Sequence, residues 1–312
     1  MKMLVWAAAA IAVLGVAAGA PAEDFPMTVE HALGRTIVPD EPERIVAMTN
    51  RDAETLLALG VVPVGIQSQF PSESGVGPWA EARLGDAEPE IWTGMEINYE
   101  AVASIDPDLI VFANSGMDGT VYGRLSAIAP TVALPLGASP WAATPQELVS
   151  VIAQALGREA DGAALNAELD EYLAMQNADY PVFEGKTLSY LDIYQHTIFA
   201  YPADNIVTNI LLSAGFEASQ AIASLPEGAS YLDVSEERLL AFDADVLVVY
   251  AYGRSLEQLA DELPTFARLE SVRDGRVFLI DDMALATSSP LSIPYALDRL
   301  LPRIAEALEA GE

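Results

Sequence analysis

Cysteine is absent from the 312 residues, and lysine nearly so, with Lys2 and Lys186 the only two. Without cysteine there can be no disulfide, no thiolate metal ligand and no cysteine nucleophile. A lipoprotein anchor, which uses a cysteine just after the signal sequence, is excluded on the same ground. Histidine is limited to His31 and His196, and neither has a second His nearby to suggest a metal site. Basic residues number 15 against 46 acidic ones, a formal net charge of −31. Such a surface repels phosphate backbones and excludes nucleic acid as a partner. No Gly-rich phosphate loop follows a strand and no Gly-x-Ser-x-Gly elbow occurs. The sequence therefore assigns no catalytic residue, no metal site and no cofactor.

What is present describes an exported, folded chain. At 52% hydrophobic and 20% charged, it is too apolar for a disordered protein. Lys2 precedes an apolar run from Leu4 to Val16, too short for a membrane span, and Ala20-Pro21-Ala22 puts small residues at −3 and −1. Residues 1–22 read as a secretory signal peptide. The expected product is a free periplasmic protein without a lipid anchor.

Beyond it, β-rich runs alternate with helical patterns, the signature of parallel α/β units. Strands are expected at Arg44–Met48, Pro63–Ile66, Asp108–Phe112 and Thr131–Leu134, and again at Leu188–Ile193, Asp245–Tyr250 and Val277–Ile280. Helices are expected at Asp52–Leu59 and Tyr99–Ile105, at Thr208–Ala214 and from Pro294 to Ala310. Between the two sets, Thr144-Pro145-Gln146-Glu147 combines an N-cap, a first-turn proline and a capping box. A second helix from Ala160 to Gln176 stripes Leu165, Leu169 and Leu173 along one face. The fold expected is two Rossmann-like α/β lobes with parallel central sheets joined by a long helix. An N-terminal lobe covers 23–143, a helical linker 144–178 and a C-terminal lobe 179–312.

The halves repeat each other. Glu100 stands six residues before Asp106, which is two before Asp108 and a buried strand; Glu237, Asp243 and Asp245 reproduce this spacing. A weaker echo pairs Asn50 to Gly60 with Asn205 to Gly215. Two similar lobes imply a cleft between them, lined by loops at the strand C-termini. Those loops hold Arg51, Tyr122, Trp141, Tyr194, Tyr201, Tyr252 and Arg254, with Trp79 in a Pro/Gly-rich loop and Tyr231 just before the second repeat. These nine are the candidate ligand-binding residues. Asp281-Asp282 reads as solvated surface, and a lone His196 as structural.

The ordered set Pro42-Glu43-Arg44-Ile45-Val46, Glu54 to Gly60, Pro63-Val64-Gly65, Asn98-Tyr99-Glu100, Asp106-Pro107-Asp108 and Leu125 to Thr131 resembles the substrate-binding proteins of iron-siderophore and vitamin B12 ABC importers. Val234 to Leu239 and Val272 to Val277 continue the match, and Leu191 to Tyr201 looks most like the ferric hydroxamate-binding branch. The resemblance implies a monomer that captures a ferric siderophore in the cleft, with iron present only inside the chelate. It implies that Glu100 and Glu237 dock onto arginines of a two-fold permease dimer. Trp79 and Tyr231 match aromatic ligand positions of the hydroxamate branch. One departure is that Gly94 to Asn98 lacks the arginine found there in hydroxamate binders. Charge toward a chelate would then come from Arg51, Arg124 or Arg254, which favours a neutral or weakly charged ligand. Cobalamin or haem on the same scaffold, and a two-lobed enzyme or sensor, are the competing expectations.

Overall fold

The structure, a computed structural model, describes residues 25–69 and 72–311. The expected signal peptide lies outside the described residues. The N-terminal lobe opens with an antiparallel hairpin of β1 (Met27–His31) and β2 (Gly34–Val38). Five strands follow: β3 (Ile45–Ala47), β4 (Gly65–Ser68), β5 (Glu90–Thr93), β6 (Leu109–Val111) and β7 (Thr131–Val132). They form one wholly parallel sheet in the order β5-β4-β3-β6-β7. Between the strands run α1 (Asn50–Ala58), α2 (Tyr99–Ser104) and α3 (Gly119–Ser126). The short central strands are apolar on both faces because both faces are covered. Ile45, Ala47, Leu109 and Val111 enter one core, while Val46 and Ile110, one residue out of step, enter another.

Two helices then leave the lobe. Helix α4 (Pro145–Ala155) carries the expected capping box, with the Thr144 hydroxyl accepting from the Glu147 backbone and the Glu147 carboxylate accepting from the Thr144 N–H. Gly157, at φ +62°, releases the chain into α5 (Glu159–Asp179), 21 residues long and so about 30 Å from end to end. Its leucine stripe serves two masters: Leu165 packs on the core of the first lobe, Leu169 and Leu173 on that of the second. This is the joining helix.

The second lobe contains β8 (Thr187–Tyr194), β9 (Thr197–Ala200), β10 (Glu217–Ala218), β11 (Leu232–Val234), β12 (Val246–Tyr250) and β13 (Val277–Ile280). Strands β10, β8, β12 and β13 are mutually parallel. Outside them, β9 turns back antiparallel on β8, and β11 is antiparallel to β9. The lobe thus keeps a parallel centre and extends it with a hairpin. Its helices are α6 (Ile206–Ser213), α7 (Gln220–Ala223), α8 (Leu256–Glu262), α9 (Glu270–Arg273), α10 (Ala284–Thr287) and α11 (Ser292–Ala310).

The sequence repeat has a structural meaning. The Asp108 carboxylate accepts the backbone N–H groups of Glu43 and Arg44 at 2.8 and 2.9 Å, just before β3. The Asp245 carboxylate accepts the N–H of Thr187 and its hydroxyl, both at 2.8 Å, at the start of β8. In each lobe the aspartate that opens one central strand holds the entry of its parallel neighbour and satisfies donors that would otherwise end unpaired. The first aspartates do not correspond: Asp106 sits at φ +55°, whereas Asp243 caps α9 through the Glu270 and Ser271 N–H groups.

Candidate functional site

The C-terminal edges of the two sheets face each other. Helix α1 leaves the end of β3, and its first turn touches the segment that follows β13. Arg51 donates from Nε to the Ser288 carbonyl at 3.2 Å. Glu54 accepts from the Ser289 hydroxyl at 2.5 Å and from the Trp79 indole N–H at 2.7 Å through one oxygen, and from the Gly77 N–H at 3.1 Å through the other. Trp79 then lies 5.2 Å from the ring of Tyr295 on α11 and touches the cores of both lobes. Trp79 is therefore part of the seam between the lobes, held in place by a buried carboxylate.

The seam is unusually rich in buried charge. Eight of the nine residues of α1, Asn50 to Leu57, are buried. Burial pulls Arg51 down to about 10, partly offset by Asp52, Glu147 and Glu54. Burial pushes Asp52 up to about 7, against the opposing pull of the Asn114 N–H and the Thr49 hydroxyl. Glu54 is raised by the same cause, against its three donors. A cavity of about 360 Å³ opens beside the seam, lined by Asn50, Glu54, Glu73, Trp79, Glu81, Asp282 and Thr287 among others.

The C-terminal lobe supplies an aromatic wall. Tyr190, Asp192 and Tyr194 alternate along one face of β8, and the burial changes from core to solvent toward the strand end. Tyr194 meets Tyr252 at 5.0 Å, Tyr252 meets Tyr250 at 4.3 Å, Tyr190 stacks on Tyr201 at 5.2 Å, and Tyr231 closes the row 6.5 Å from Tyr201. Tyr194, Tyr231 and Tyr252 are 49%, 53% and 46% exposed, far more than core tyrosines, so these rings face solvent. Beneath them the buried Asp192 carboxylate accepts from the Tyr201 hydroxyl at 2.8 Å. Burial raises Asp192, and its charge helps push Tyr252 up to about 12 after the larger effect of burial.

Left-handed backbone marks the same loops. Trp141, Gln195, Tyr252 and Ser288 have φ of +62°, +53°, +52° and +49°, a conformation that costs a side-chain-bearing residue free energy and concentrates at functional loops. On the N-terminal side, Trp141 packs edge-on 6.5 Å from Phe112 and lies over Gly116, where a Cβ would come within 2.5 Å of its indole nitrogen.

Three candidate residues are not placed as free ligand contacts. Arg254 spends its guanidinium on the protein: it donates to the carbonyls of Ala251, Gln195 and Ile193 and to the Glu262 carboxylate at 2.8 Å. It fixes the turns that carry Tyr194 and Tyr252, and so positions the wall. Arg51 is buried rather than offered to the cleft. Tyr122 lies apart from the rest. Its hydroxyl meets Thr36 at 3.0 Å and its ring packs 5.1 Å from His31, so it anchors the β1–β2 hairpin because that hairpin brings a polar buried pair against α3. Arg124 is stacked 3.5 Å over Tyr99. His31 is structural: its Nδ1 accepts from Leu33, its Nε2 meets Thr36, and burial lowers its pKa. A cavity of about 790 Å³ lies elsewhere, between the hairpin and the α4–α5 pair, and holds none of the candidates.

Sequence reasoning missed Glu54, Asp52 and Asp192 as site residues. Glu54 and Asp52 were inside a helix with no local sign of burial. Only the alternation along Tyr190-x-Asp192-x-Tyr194 could have flagged the third.

Glu100 and Glu237 are both exposed. Each stands in the first turn of the helical segment that leads back into a central strand, α2 into β6 and the 3₁₀ helix Glu236–Phe242 into β12.

The chain belongs to the Periplasmic binding protein family, matched over residues 45–284, a family of binding proteins. Among solved structures it is similar to a periplasmic solute binding protein from Mycobacterium smegmatis, at 31% identity and TM-score 0.80, over 90% of this chain and 98% of that one. It is similar to the iron uptake ABC transporter substrate-binding protein PiaA of Streptococcus pneumoniae, solved also with ferrichrome, at 25% identity and TM-score 0.76, over 91% and 99%. Among curated proteins it is 28% identical to the Probable siderophore-binding lipoprotein YfiY of Bacillus subtilis, over 87% of this chain and 85% of that one. This corrects the expected location. A free periplasmic protein without a lipid anchor was inferred from the missing cysteine, yet relatives alike along almost their whole length are lipoproteins.

Proposed function

We propose that the chain captures a ferric siderophore in the cleft between its lobes and delivers it to the permease of an ABC importer. The observation that carries this reading is the likeness, along nearly the whole of both chains, to the pneumococcal protein solved with ferrichrome. The tyrosine wall supports it: large, rigid rings offer contact area at small entropic cost, as a bulky chelate requires. Iron enters only as part of that cargo, and the cleft binds without transforming it. The ligand contacts are Trp141, Tyr194, Tyr201, Tyr231 and Tyr252, with Trp79 and Arg51 forming the floor and Arg254 holding the wall. Glu100 and Glu237 are the docking carboxylates, one per lobe, and the protein acts as a monomer.

Titration of intrinsic fluorescence tests the reading. Ferric hydroxamates, which absorb light, should quench the tryptophan and tyrosine emission at micromolar concentration or below, while haem and cobalamin should do so only at higher concentration. Saturable binding of cobalamin or haem, with no ferric hydroxamate bound, would replace this ligand assignment.

A further inference from the structure

The charged side chains that line the inter-lobe cavity all have one sign. Glu54, Glu73, Glu81 and Asp282 line the inter-lobe cavity, and no basic residue does. The tyrosine wall is backed by Asp192, which has no ion-pair partner among the described residues, and Asp281 and Asp282 end the next strand. The arginines around this cavity make contacts within the protein. Arg254 is paired with Glu262 at 2.8 Å and with three carbonyls. Arg51 is buried beside Asp52 and Glu54 and donates to Ser288 and Asn114. Arg124 is stacked on Tyr99, while Arg299 and Arg303, which line an adjoining pocket with Asp281 and Asp282, lie over the rings of Tyr295 and Phe278. The exposed faces of Tyr194, Tyr231, Tyr252 and Trp141 add their own negative quadrupoles, which attract cations.

We infer that the cleft selects a ferric chelate bearing a positive charge, such as a hydroxamate complex with a pendant ammonium, and rejects anionic chelates. The inference rests on the siderophore reading and makes it narrower. Coulomb attraction works in both stages of binding. The acidic surface, at a formal −31 for the chain, concentrates cations and speeds encounter. Once docked, the ammonium is held among π-faces and carboxylates with little water to screen it. An anionic chelate meets repulsion in both stages, and no arginine lines the inter-lobe cavity to compensate.

The test uses one ligand skeleton in three charge states. A linear ferric trihydroxamate with a free terminal ammonium is a cation, its N-acetyl derivative is neutral, and its N-succinyl derivative is an anion. At low salt the cation should bind at least about tenfold more tightly than the anion, about 1.4 kcal/mol, with the neutral form between. The spread should shrink as salt is raised. Asp192→Asn should narrow the spread. Because Asp192 is buried, the exposed pair Glu73→Gln with Glu81→Gln provides a second variant whose folding is not in question, with the same expected narrowing. Equal binding of the three complexes, tighter binding of the anion, or an unaltered spread in both variants overturns the inference alone. Failure of all three complexes to bind overturns the siderophore reading together with it.

Discussion

Asp52 illustrates how one buried carboxyl governs the pH response of the seam. Its pKa is pushed up to about 7 in the folded chain, against about 3.9 when unfolded. Between those values the folded state holds a proton that the unfolded state has released, so the stability this group contributes is full below about pH 4 and is lost as the pH rises through 7. Asp52→Asn cannot titrate and keeps an acceptor for the Asn114 N–H. Thermal melts between pH 4.5 and 8 should show a flatter profile for the variant than for the wild type; parallel profiles would mean that Asp52 is not the titrating group. Arg254 gives a second test at this scale. If it positions the wall rather than touching the chelate, Arg254→Ala should weaken cationic, neutral and anionic complexes by a similar factor, and Arg254→Lys should not restore binding, because a single ammonium cannot reproduce the planar fork that reaches three carbonyls and a carboxylate. A loss confined to anionic chelates would instead make Arg254 a direct ligand contact.

At the scale of elements, glycine and leucine positions decide whether the aromatics are where binding needs them. A Cβ on Gly77 would fall 2.1 Å from the Trp79 ring, and one on Gly116 2.5 Å from Trp141. Gly77→Ala and Gly116→Ala should each displace a tryptophan, visible as an altered near-ultraviolet circular dichroism spectrum and weaker ligand binding. Leu169→Ala, which removes a buried contact of α5 with the second core, should cost about 2–5 kcal/mol of stability, read by denaturant unfolding. The buried central strands and the α4–α5 pair were legible in the sequence because continuous apolar runs, capping residues and a leucine stripe are local signals. Strand β5 and the β1–β2 hairpin were not: Glu90–Thr93 has no fully buried residue and the hairpin alternates with charged positions. The site was legible only in part. Tyrosines at strand ends could be seen, but the commitment of Arg254 could not, because its carbonyl partners at Gln195 and Ile193 are 59 and 61 residues away. Glu54 looked like one more helix residue because the Ser289 it binds lies 235 residues on.

For the whole molecule, the matched carboxylates Glu100 and Glu237 carry a requirement that neither lobe can meet alone. They are exposed, one in each lobe, as the proposed docking onto a two-fold permease requires. Glu100→Ala and Glu237→Ala should leave chelate affinity within about twofold of wild type and impair uptake in cells, with the double variant worse than either. Glu→Asp at the same positions should also impair uptake, since an arginine–carboxylate pair is directional. Normal uptake by the double variant would remove the docking role without touching the ligand assignment.

The single passage of the chain through α5 also bears on how the molecule is made. The fully buried residues of the first lobe's core run from Met27 to Leu156, with Leu165 and Leu291 packed against them, so most of that core is present while the second lobe is still unsynthesised. The partners that close the seam, Ser288, Ser289 and Tyr295, emerge only after every strand of the second lobe. Until they arrive, Arg51 and Glu54 lack their partners across the seam, and the first lobe carries buried charges it cannot fully satisfy. Assembly is thus vectorial, and the cleft is its final product: a chain truncated before residue 288 would contain the tyrosine wall and most of both cores, yet have no finished floor on which to hold a ligand.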